Sequence, residues 1–511
     1  MPSQPMLLPM PEVEPSAVPD AGPPRAPRLK EPDRKQFVMD SFDLEKLIPA
    51  DHLARGIWAL VESLPTDGFL AENKSVEGHA GRPRTSPKML LAVWAYGYSQ
   101  GITQARALER EMEYEPALRW LAGNQVLSFR TLSEFRAAHG EALQASFAGL
   151  LGILDKENWI DLRELTLDGT KVQANASSGS RRREKTLQEH IAQAAAVVAE
   201  LENKEAGAEI GKRHQAARQR AAAERVERLQ RAARELEEIR KTKRAGEKDQ
   251  ARVSLTDPEA RVMKDGHGGF ALSYNTQVLT ETKNKIVVNV AVTQDASDQK
   301  QMTPALERIA AEQQLPATLL VDGGYTTAAN IAAAETQHVD LVGPELDREA
   351  QQARNCAQSL QQAGISAEFG PSAFIQIEDG KALQCPAGKR LGLQQDGVAY
   401  RQYISRQSDC ASCAHQAHCS PKGQRTVKVQ RSNAAVEAYR RKMQESKSQQ
   451  LYKKRGAVAE FPHAWWKDKF GLRVLHLRGR AKAEIEMRWA ALTYNMQQWV
   501  RLSWLPKLAV A

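Results

Sequence analysis

Three acidic residues of this sequence lie in local contexts that suit metal-dependent chemistry on phosphodiesters. Asp168 follows a β-rich run in ELTLDGTKVQANAS and precedes a glycine. Asp322 follows the mostly apolar run 317–321 and precedes two glycines. Both patterns predict a carboxylate at a strand end, just before a turn. Glu460 lies seven residues before Lys467, close to two helical turns, so both share one helix face if Pro462 lies in the helix's first turn.

Two Asp and one Glu supply the hard oxygen ligands that Mg²⁺ or Mn²⁺ prefers. A pair of such ions, about 3.5–4 Å apart, can activate an attacking oxygen and stabilise a leaving one. We therefore predict that Asp168, Asp322 and Glu460 are catalytic residues and the ligands of two metal ions. Each acid also has a plainer interpretation, since Asp168 and Asp322 suit turns beside glycine and Glu460 suits a helix surface.

Several motifs, in order along the chain, resemble the DDE transposases of bacterial insertion sequences. They are LTLDGTKVQANAS, LLVDGGYT, the series Tyr452, Arg455, Glu460 and Lys467, and the segments RTSPKMLLAVWAYGYSQGI, TDPEARVMKDGHGGFALSYNTQ and LRGRAKAEIEMRWAALTYNMQQW. Within that group the sequence is most similar to the IS1182 family of the wider IS4/IS5-like group, from about Gln36 to Val500. The resemblance implies an enzyme that binds transposon ends, cleaves DNA and transfers the 3′ ends to target DNA. It also implies double-stranded DNA as partner, namely terminal inverted repeats and target, and a homodimer in the synaptic complex.

Basic residues around Glu460 are predicted to contact DNA phosphates, because charge neutralisation needs no strict geometry. They are Arg455, Lys467, Arg473 and Arg478, and Tyr452 is expected to hydrogen-bond the same backbone. Trp465 and Trp466 suit stacking on a displaced base or, more simply, helix packing with at least one ring in the core.

Composition limits the possible classes of protein. The chain has 511 residues, with 71 Lys and Arg against 62 Asp and Glu, a formal net charge of +9. A basic balance favours a polyanionic partner. No apolar run approaches the length of a membrane span, and the proline-broken N-terminus does not fit a signal peptide. We expect a cytoplasmic, nucleoid-associated protein.

The element pattern predicts a mixed α/β fold with an RNase H-like core. It reads as a first strand at Leu165, a hairpin over Phe270 to Thr293, a helix, and a strand ending at Asp322. In that fold the first acid lies on the first strand, the second after the fourth strand and the third on a later helix. The predicted parts are a disordered Pro-rich tail (1–35), a helical N-terminal DNA-binding domain (36–155), the first part of the core (156–345) with a helical insertion (177–250), a cysteine-containing insertion (346–430) and a C-terminal helical part of the core (431–511).

Two helical segments leave alternatives open. In the N-terminal part, helices are predicted to begin at Ser86-Pro87 and at Thr131, and the basic residues there suit either DNA contact or a solvated surface. Residues 181–250 contain 18 Lys and Arg and 13 Asp and Glu, with no proline, and predict a hairpin of two long helices hinged near 206–211. One alternative is a soluble coiled-coil hairpin with charged residues on its exposed faces. The other is a DNA clamp or dimer contact that uses Arg213, Arg218, Arg220 and Arg225.

Four of the five cysteines cluster with the spacing C-x24-C-x2-C-x5-C. They are Cys385, Cys410, Cys413 and Cys419. This spacing suits a structural Zn²⁺ site, with His415 or His418 able to replace one thiolate, and the alternative is a reduced cluster with no metal. The resembling family carries a similar cysteine-bearing insertion.

Two other functions fit the same sequence. One is a catalytically inactive or domesticated DNA-binding relative, and the other is an RNase H-like metal-dependent nuclease that cuts without joining. Asp257, in TDPEAR, is a rival metal ligand whose simpler role is an Asp-Pro turn.

Overall fold

A computed structural model describes residues 43–71, 84–202, 209–265, 268–312, 314–344, 348–397, 400–430 and 434–510. The predicted tail (1–35) and residues 206–208 of the predicted hinge of the helical insertion lie outside these ranges, so both stay predictions. In the described part, no helix is both long and apolar enough to cross a membrane.

The N-terminal segment is helical, as predicted. Its helices are α1 (Leu53–Ser63), α2 (Pro87–Ser99), α3 (Ala105–Glu111), α4 (Pro116–Leu121), α5 (Phe129–Ala138) and α6 (Gly140–Lys156). Pro87 occupies the first turn of α2, where a missing N–H costs nothing. The predicted start at Thr131 was wrong, because Ser128 caps α5 by accepting a hydrogen bond from the Thr131 amide at 3.3 Å.

The first core strand, β1 (Glu164–Gln173), is followed by the helical insertion. The insertion comprises β2 (Arg181–Arg182), α7 (Glu184–Glu202), α8 (Glu209–Lys241) and β3 (Val253–Ser254). The short strands β2 and β3 pair at its base. Apolar residues recurring along α7 and α8, including Leu187, Leu229 and Leu236, form a separate buried cluster there. The insertion is thus a helical hairpin with its own small core, anchored beside the main sheet.

The main sheet has the strand order expected of an RNase H-like core. After the insertion come β4 (Arg261–Lys264), β5 (Phe270–Glu281), β6 (Val287–Thr293), α9 (Met302–Glu312), β7 (Thr318–Val321), α10 (Ala328–Thr336) and β8 (Asp340–Val342). Strand β5 pairs antiparallel with β1, β4 and β6, whereas β7 lies parallel to both β1 and β8. The predicted hairpin, the helix after it and the strand before Asp322 are confirmed.

The cysteine-containing region forms its own antiparallel sheet. Helix α11 (Arg348–Gln362) precedes β9 (Ile375–Ile377), β10 (Ala382–Gln384), β11 (Arg390–Asp396), β12 (Tyr400–Ser405), α12 (Gln407–Ala411), α13 (Gln416–Cys419) and β13 (Thr426–Gln430). The strands pair in the order β13-β12-β11-β10-β9.

Helices close the chain: α14 (Ala434–Gln444), α15 (Ser446–Ala464), α16 (Arg480–Trp499) and α17 (Leu505–Val510). Pro462 lies in the last turn of α15, so the expectation that it opens a helix was wrong. A π-helical turn over Trp465–Lys469 continues from it. Helix α16 is buried along most of its length and packs on α2, α6 and β6.

Candidate functional site

Strand pairing brings Asp168 and Asp322 together. The parallel register of β1 and β7 pairs Leu167 with Val321, so the next residue of each chain segment is an aspartate at the same position across the sheet. The sequence suggested that the first strand ends at Asp168, but β1 extends beyond it. It continues to Gln173 because β5 keeps pairing with it beyond the end of β7.

Each aspartate is oriented by the backbone of its own turn. The carboxylate of Asp168 accepts a hydrogen bond from the Gly169 amide at 2.9 Å, and that of Asp322 accepts one from the Gly324 amide at 2.8 Å. These bonds hold the two side chains in place before any ligand binds.

Burial raises the pKa of Asp168 to about 6, even though Arg455 opposes the shift. The Arg455 guanidinium lies 2.9 Å from Oδ1 of Asp168, while the neighbouring carboxylates of Asp322 and Asp298 add to the increase in pKa. A buried carboxylate surrounded by others is a position where a cation is stabilised.

Asp298 is the acidic residue that the sequence analysis missed. It lies after β6, and its carboxylate accepts hydrogen bonds from Asn275 at 2.7 Å and Gln277 at 2.8 Å, with the Lys171 ammonium at 3.1 Å. A Cβ at Gly169 would lie 2.5 Å from Asp298 Oδ1, so glycine beside Asp168 leaves the room that Asp298 occupies. Its segment, DASDQK, gave only a helix-start signal in the sequence.

Glu460 lies on α15 with an exposed side chain, and no described residue forms a hydrogen bond or an ion pair with its carboxylate. On the same helix, Arg455 and His463 are buried and face Asp168. Glu460 is five positions after Arg455, which is about 140° around a helix of 3.6 residues per turn. Its assignment as the third catalytic acid stays a prediction.

The predicted DNA-contacting residues fall into two groups. Arg455 and Lys467 lie at the carboxylates, since Lys467 Nζ donates to Thr170 Oγ1 at 2.5 Å and burial lowers the pKa of that ammonium. Arg473 and Arg478 are exposed beside the end of β1, where Arg473 pairs with Asp468 and Arg478 donates to the Asn175 carbonyl at 3.1 Å. Tyr452 is half-buried on α15.

The adjacent tryptophans are mainly structural. Trp466 is 1% exposed, which confirms that at least one ring lies in the core. Trp465 donates to the Gln497 side chain at 2.9 Å.

The donors around Asp168 suit a hard divalent cation. As the side chains lie, no three His, Cys, Asp or Glu residues of the described ranges are close enough to hold one ion. The guanidinium of Arg455 instead supplies positive charge to Asp168. His463 is 8% exposed, its Nε2 is 3.6 Å from Asp168, and neither of its ring nitrogens forms a hydrogen bond. The carboxylate oxygens of Asp168 and Asp322 are the kind of ligand that such a cation prefers.

The four clustered cysteines line one cavity of about 30 Å³ together with His415. Burial raises the pKa of Cys419, and the other three thiols add to that shift. As the side chains lie, the thiols share this cavity without meeting closely enough to hold one ion, so Zn²⁺ binding there stays a prediction.

Asp257 has a structural role. It is fully buried, and its carboxylate accepts hydrogen bonds from the Tyr274 hydroxyl at 2.7 Å and the Gly479 amide at 3.2 Å. It therefore ties the turn before β4 to β5 and to the start of α16.

Comparison with known proteins agrees with this architecture. Residues 249–496 match the model of the Transposase DDE domain, and residues 42–138 match that of the Transposase domain (DUF772). A search of curated proteins gave no match. Strand β1 lies before the matched DDE range, and α7 and α8 separate it from the rest of the sheet in sequence. With the helical segment, the RNase H-like sheet and both domain matches in the expected order, the chain belongs to the DDE transposases, with the domain architecture of the IS1182 family.

Proposed function

We propose that this transposase binds transposon ends, cleaves phosphodiester bonds there and joins the freed 3′ ends to target DNA at the site around Asp168 and Asp322. The observation that carries the proposal is the side-by-side placement of Asp168 on β1 and Asp322 directly after β7, with Asp298 against the same turns. Two divalent ions held there would supply an activated attacking oxygen and stabilisation of the leaving one.

The protein's own residues position the DNA. Arg455 and Lys467 lie beside Asp168 and are placed to neutralise a phosphate whose negative charge would otherwise oppose the carboxylates. Lys171 holds Asp298, and the Gly169 and Gly324 amides hold the two catalytic aspartates. The three aspartates are therefore oriented before DNA arrives.

Two carboxylates compete for the third ligand position. Asp298 is already among the acids that raise the pKa of Asp168, whereas Glu460 is exposed on α15 and would need to turn inward. We propose that Asp298 contributes to cation binding in the DNA-free protein and that Glu460 contributes once DNA is bound.

Synapsis of two ends requires two sites, so the active assembly on DNA is a homodimer. Action on chromosomal DNA would place the enzyme at the nucleoid. Neither property depends on the choice between Asp298 and Glu460.

The test is cleavage and joining of a labelled duplex carrying the flanking element ends, with Mg²⁺ or Mn²⁺. Wild type is compared with Asp168→Asn, Asp322→Asn, Asp298→Asn and Glu460→Gln. Asp340→Asn is the control, because it removes the same charge from β8, away from the site, where Asp340 pairs with Lys442 of α14. Mn²⁺ affinity without DNA, measured by electron paramagnetic resonance, gives a second readout.

If the Asp168 and Asp322 variants still bind DNA but yield no joined products, the result supports strand transfer at this site. Mn²⁺ affinity lowered by Asp298→Asn but not by Glu460→Gln supports the division of roles between these acids, and the reverse pattern contradicts it. Binding without cleavage by wild type would indicate an inactive DNA-binding relative. Cleavage without joining would indicate a nuclease.

A further inference from the structure

A basic cleft lies at the base of the helical insertion, where α8 and the β2–β3 pair meet the edge of the main sheet. It has a volume of about 750 Å³. Five cationic side chains line it against two acidic ones, Glu238 and Asp295. The cations are Arg181, Arg183, Lys243, Arg252 and Arg261.

Four of these five cations have no acidic partner among the described residues. Arg183, Lys243 and Arg252 are exposed, and Arg181 is half-buried with its Nε donating to the Ser178 carbonyl at 3.3 Å. Neighbouring charges on α8 are neutralised, since Lys241 pairs with Glu238 at 2.6 Å and Arg240 pairs with Glu237 at 3.0 Å. Four cations without an acidic partner among the described residues therefore line the cleft.

The walls of the cleft are fixed to each other. Glu235 of α8 pairs with Arg261 of β4 and accepts a hydrogen bond from Gln294 at 3.2 Å. Gln294 also donates to the Glu259 carbonyl at 2.7 Å. These contacts hold the hairpin against the sheet, so the cations are presented by a preformed surface.

The cleft also borders the segment that leads to Asp298. Gln294, Asp295 and Ala296 line it, and Asp298 follows two residues later. The Asn275 side chain donates both to the Asp295 carbonyl at 3.0 Å and to Asp298 at 2.7 Å. One short segment thus borders the cleft on one side and holds Asp298 on the other.

We propose that this cleft binds the phosphate backbone of duplex DNA and guides it toward Asp168 and Asp322. The inference rests on the proposed DNA-joining function and specifies which surface of the insertion holds the DNA. The occupant is duplex DNA because closely spaced unpaired Arg and Lys match a regular row of phosphates, and a neighbouring site for phosphodiester chemistry requires that backbone. The base of the hairpin, rather than Arg218, Arg220 and Arg225 farther along α8, makes this contact.

The test compares two triple variants of the full chain. The cleft variant is Arg183→Gln, Lys243→Gln and Arg252→Gln. The control is Arg218→Gln, Arg220→Gln and Arg225→Gln, which removes the same charge from exposed positions on α8. Fluorescence anisotropy with a labelled end duplex gives the Kd over a range of NaCl concentrations, and thermal melting checks that both variants fold.

Each lost phosphate contact lowers the slope of log K against log salt by about 0.9. Three lost contacts therefore reduce the magnitude of the slope by up to about 2.7. If the variant and wild type bind equally at about 1 M salt, each lost contact weakens binding about eightfold near 0.1 M salt. The control should keep the wild-type slope. An unchanged slope in the cleft variant, or equal losses in both variants, would overturn the proposal.

The result separates this inference from the proposed function. If wild type joins ends and the cleft variant keeps the full salt slope, the proposed function stands and the cleft does not bind DNA. Wild type that neither binds nor joins the end duplex overturns both.

Discussion

Glu486 is expected to be one of the most stabilising polar residues of this protein. Its side chain is 0% exposed on α16. Its carboxylate accepts hydrogen bonds from the His476 amide at 2.9 Å, the Leu477 amide at 2.9 Å and the His476 ring at 2.8 Å. The Arg136 guanidinium, 4% exposed on α5, lies 3.8 Å away. This one carboxylate therefore links the N-terminal helices, the segment before α16 and the core.

Glu486→Gln keeps the shape of the side chain but removes its charge and one acceptor oxygen. At least one buried N–H then loses its partner, which costs about 1–3 kcal/mol. Arg136 also loses the charge of Glu486 and keeps, among the described residues, only its hydrogen bond to the Thr103 carbonyl at 2.5 Å and its position over the Trp94 ring. Breaking buried pairs in this way typically costs about 3–5 kcal/mol. The shift in Tm per kcal/mol is about 2–4 °C for domains of 150–250 residues and falls as size increases. The compact unit that contains Glu486 spans residues 44–511, so at about 1–2 °C per kcal/mol the Tm should fall by roughly 3–10 °C.

The assay is thermal unfolding followed by tryptophan fluorescence, because Trp94 and Trp489 lie in this region with ring centroids 6.4 Å apart. Glu484→Gln is the control on the same helix, since its pair with Arg488 is a partly exposed i,i+4 pair worth about 0.5 kcal/mol or less. Arg136→Met should lower the free energy of unfolding by less in the Glu486→Gln background than in wild type, because the two side chains interact. A Tm for Glu486→Gln within about 1 °C of the control would refute this account.

Two further predictions concern the site and the cysteine cluster. Gly169→Ala places a Cβ 2.5 Å from Asp298 Oδ1 and 2.6 Å from Gln277 Nε2, so joining activity should fall at least about tenfold, as for other losses beside metal ligands. Gly152→Ala on α6, where a Cβ meets nothing within 4 Å, should leave joining unchanged, and equal activity of both variants would contradict the packing argument. For the cysteines, we expect one Zn²⁺ per chain by elemental analysis of purified protein, reduced by Cys413→Ser but not by Cys356→Ser. Metal-free wild type would favour the reduced thiol cluster.

Local sequence patterns predicted much of the fold. The hairpin of β5 and β6, the strand before Asp322 and the helix beginning at Pro87 follow from apolar alternation, turn residues and proline placement, which act within a few residues. Errors arose where local signals competed. Ser128 and Thr131 both suit a helix start, and Pro462 suits a first turn, yet α5 begins at Phe129 and α15 begins at Ser446.

Asp298 shows why the site could be predicted only in part. Its surrounding sequence resembles any polar loop before a helix, and its partners Lys171, Asn275 and Gln277 lie on two other strands. Likewise, nothing near Arg455 in sequence indicates that its guanidinium reaches Asp168, because that pairing depends on how α15 packs on the sheet.

The sequence by itself determined the family motifs, the order of strands and helices, and the likeness of Asp168 and Asp322 to paired metal ligands, because each is encoded in a short contiguous run. Only the tertiary structure decided which acids lie together, which cations remain unpaired at the base of the insertion, and that Glu486 and Asp257 hold the core together. Those properties depend on contacts between residues far apart in the chain, where strand register and helix rotation set the direction of each side chain.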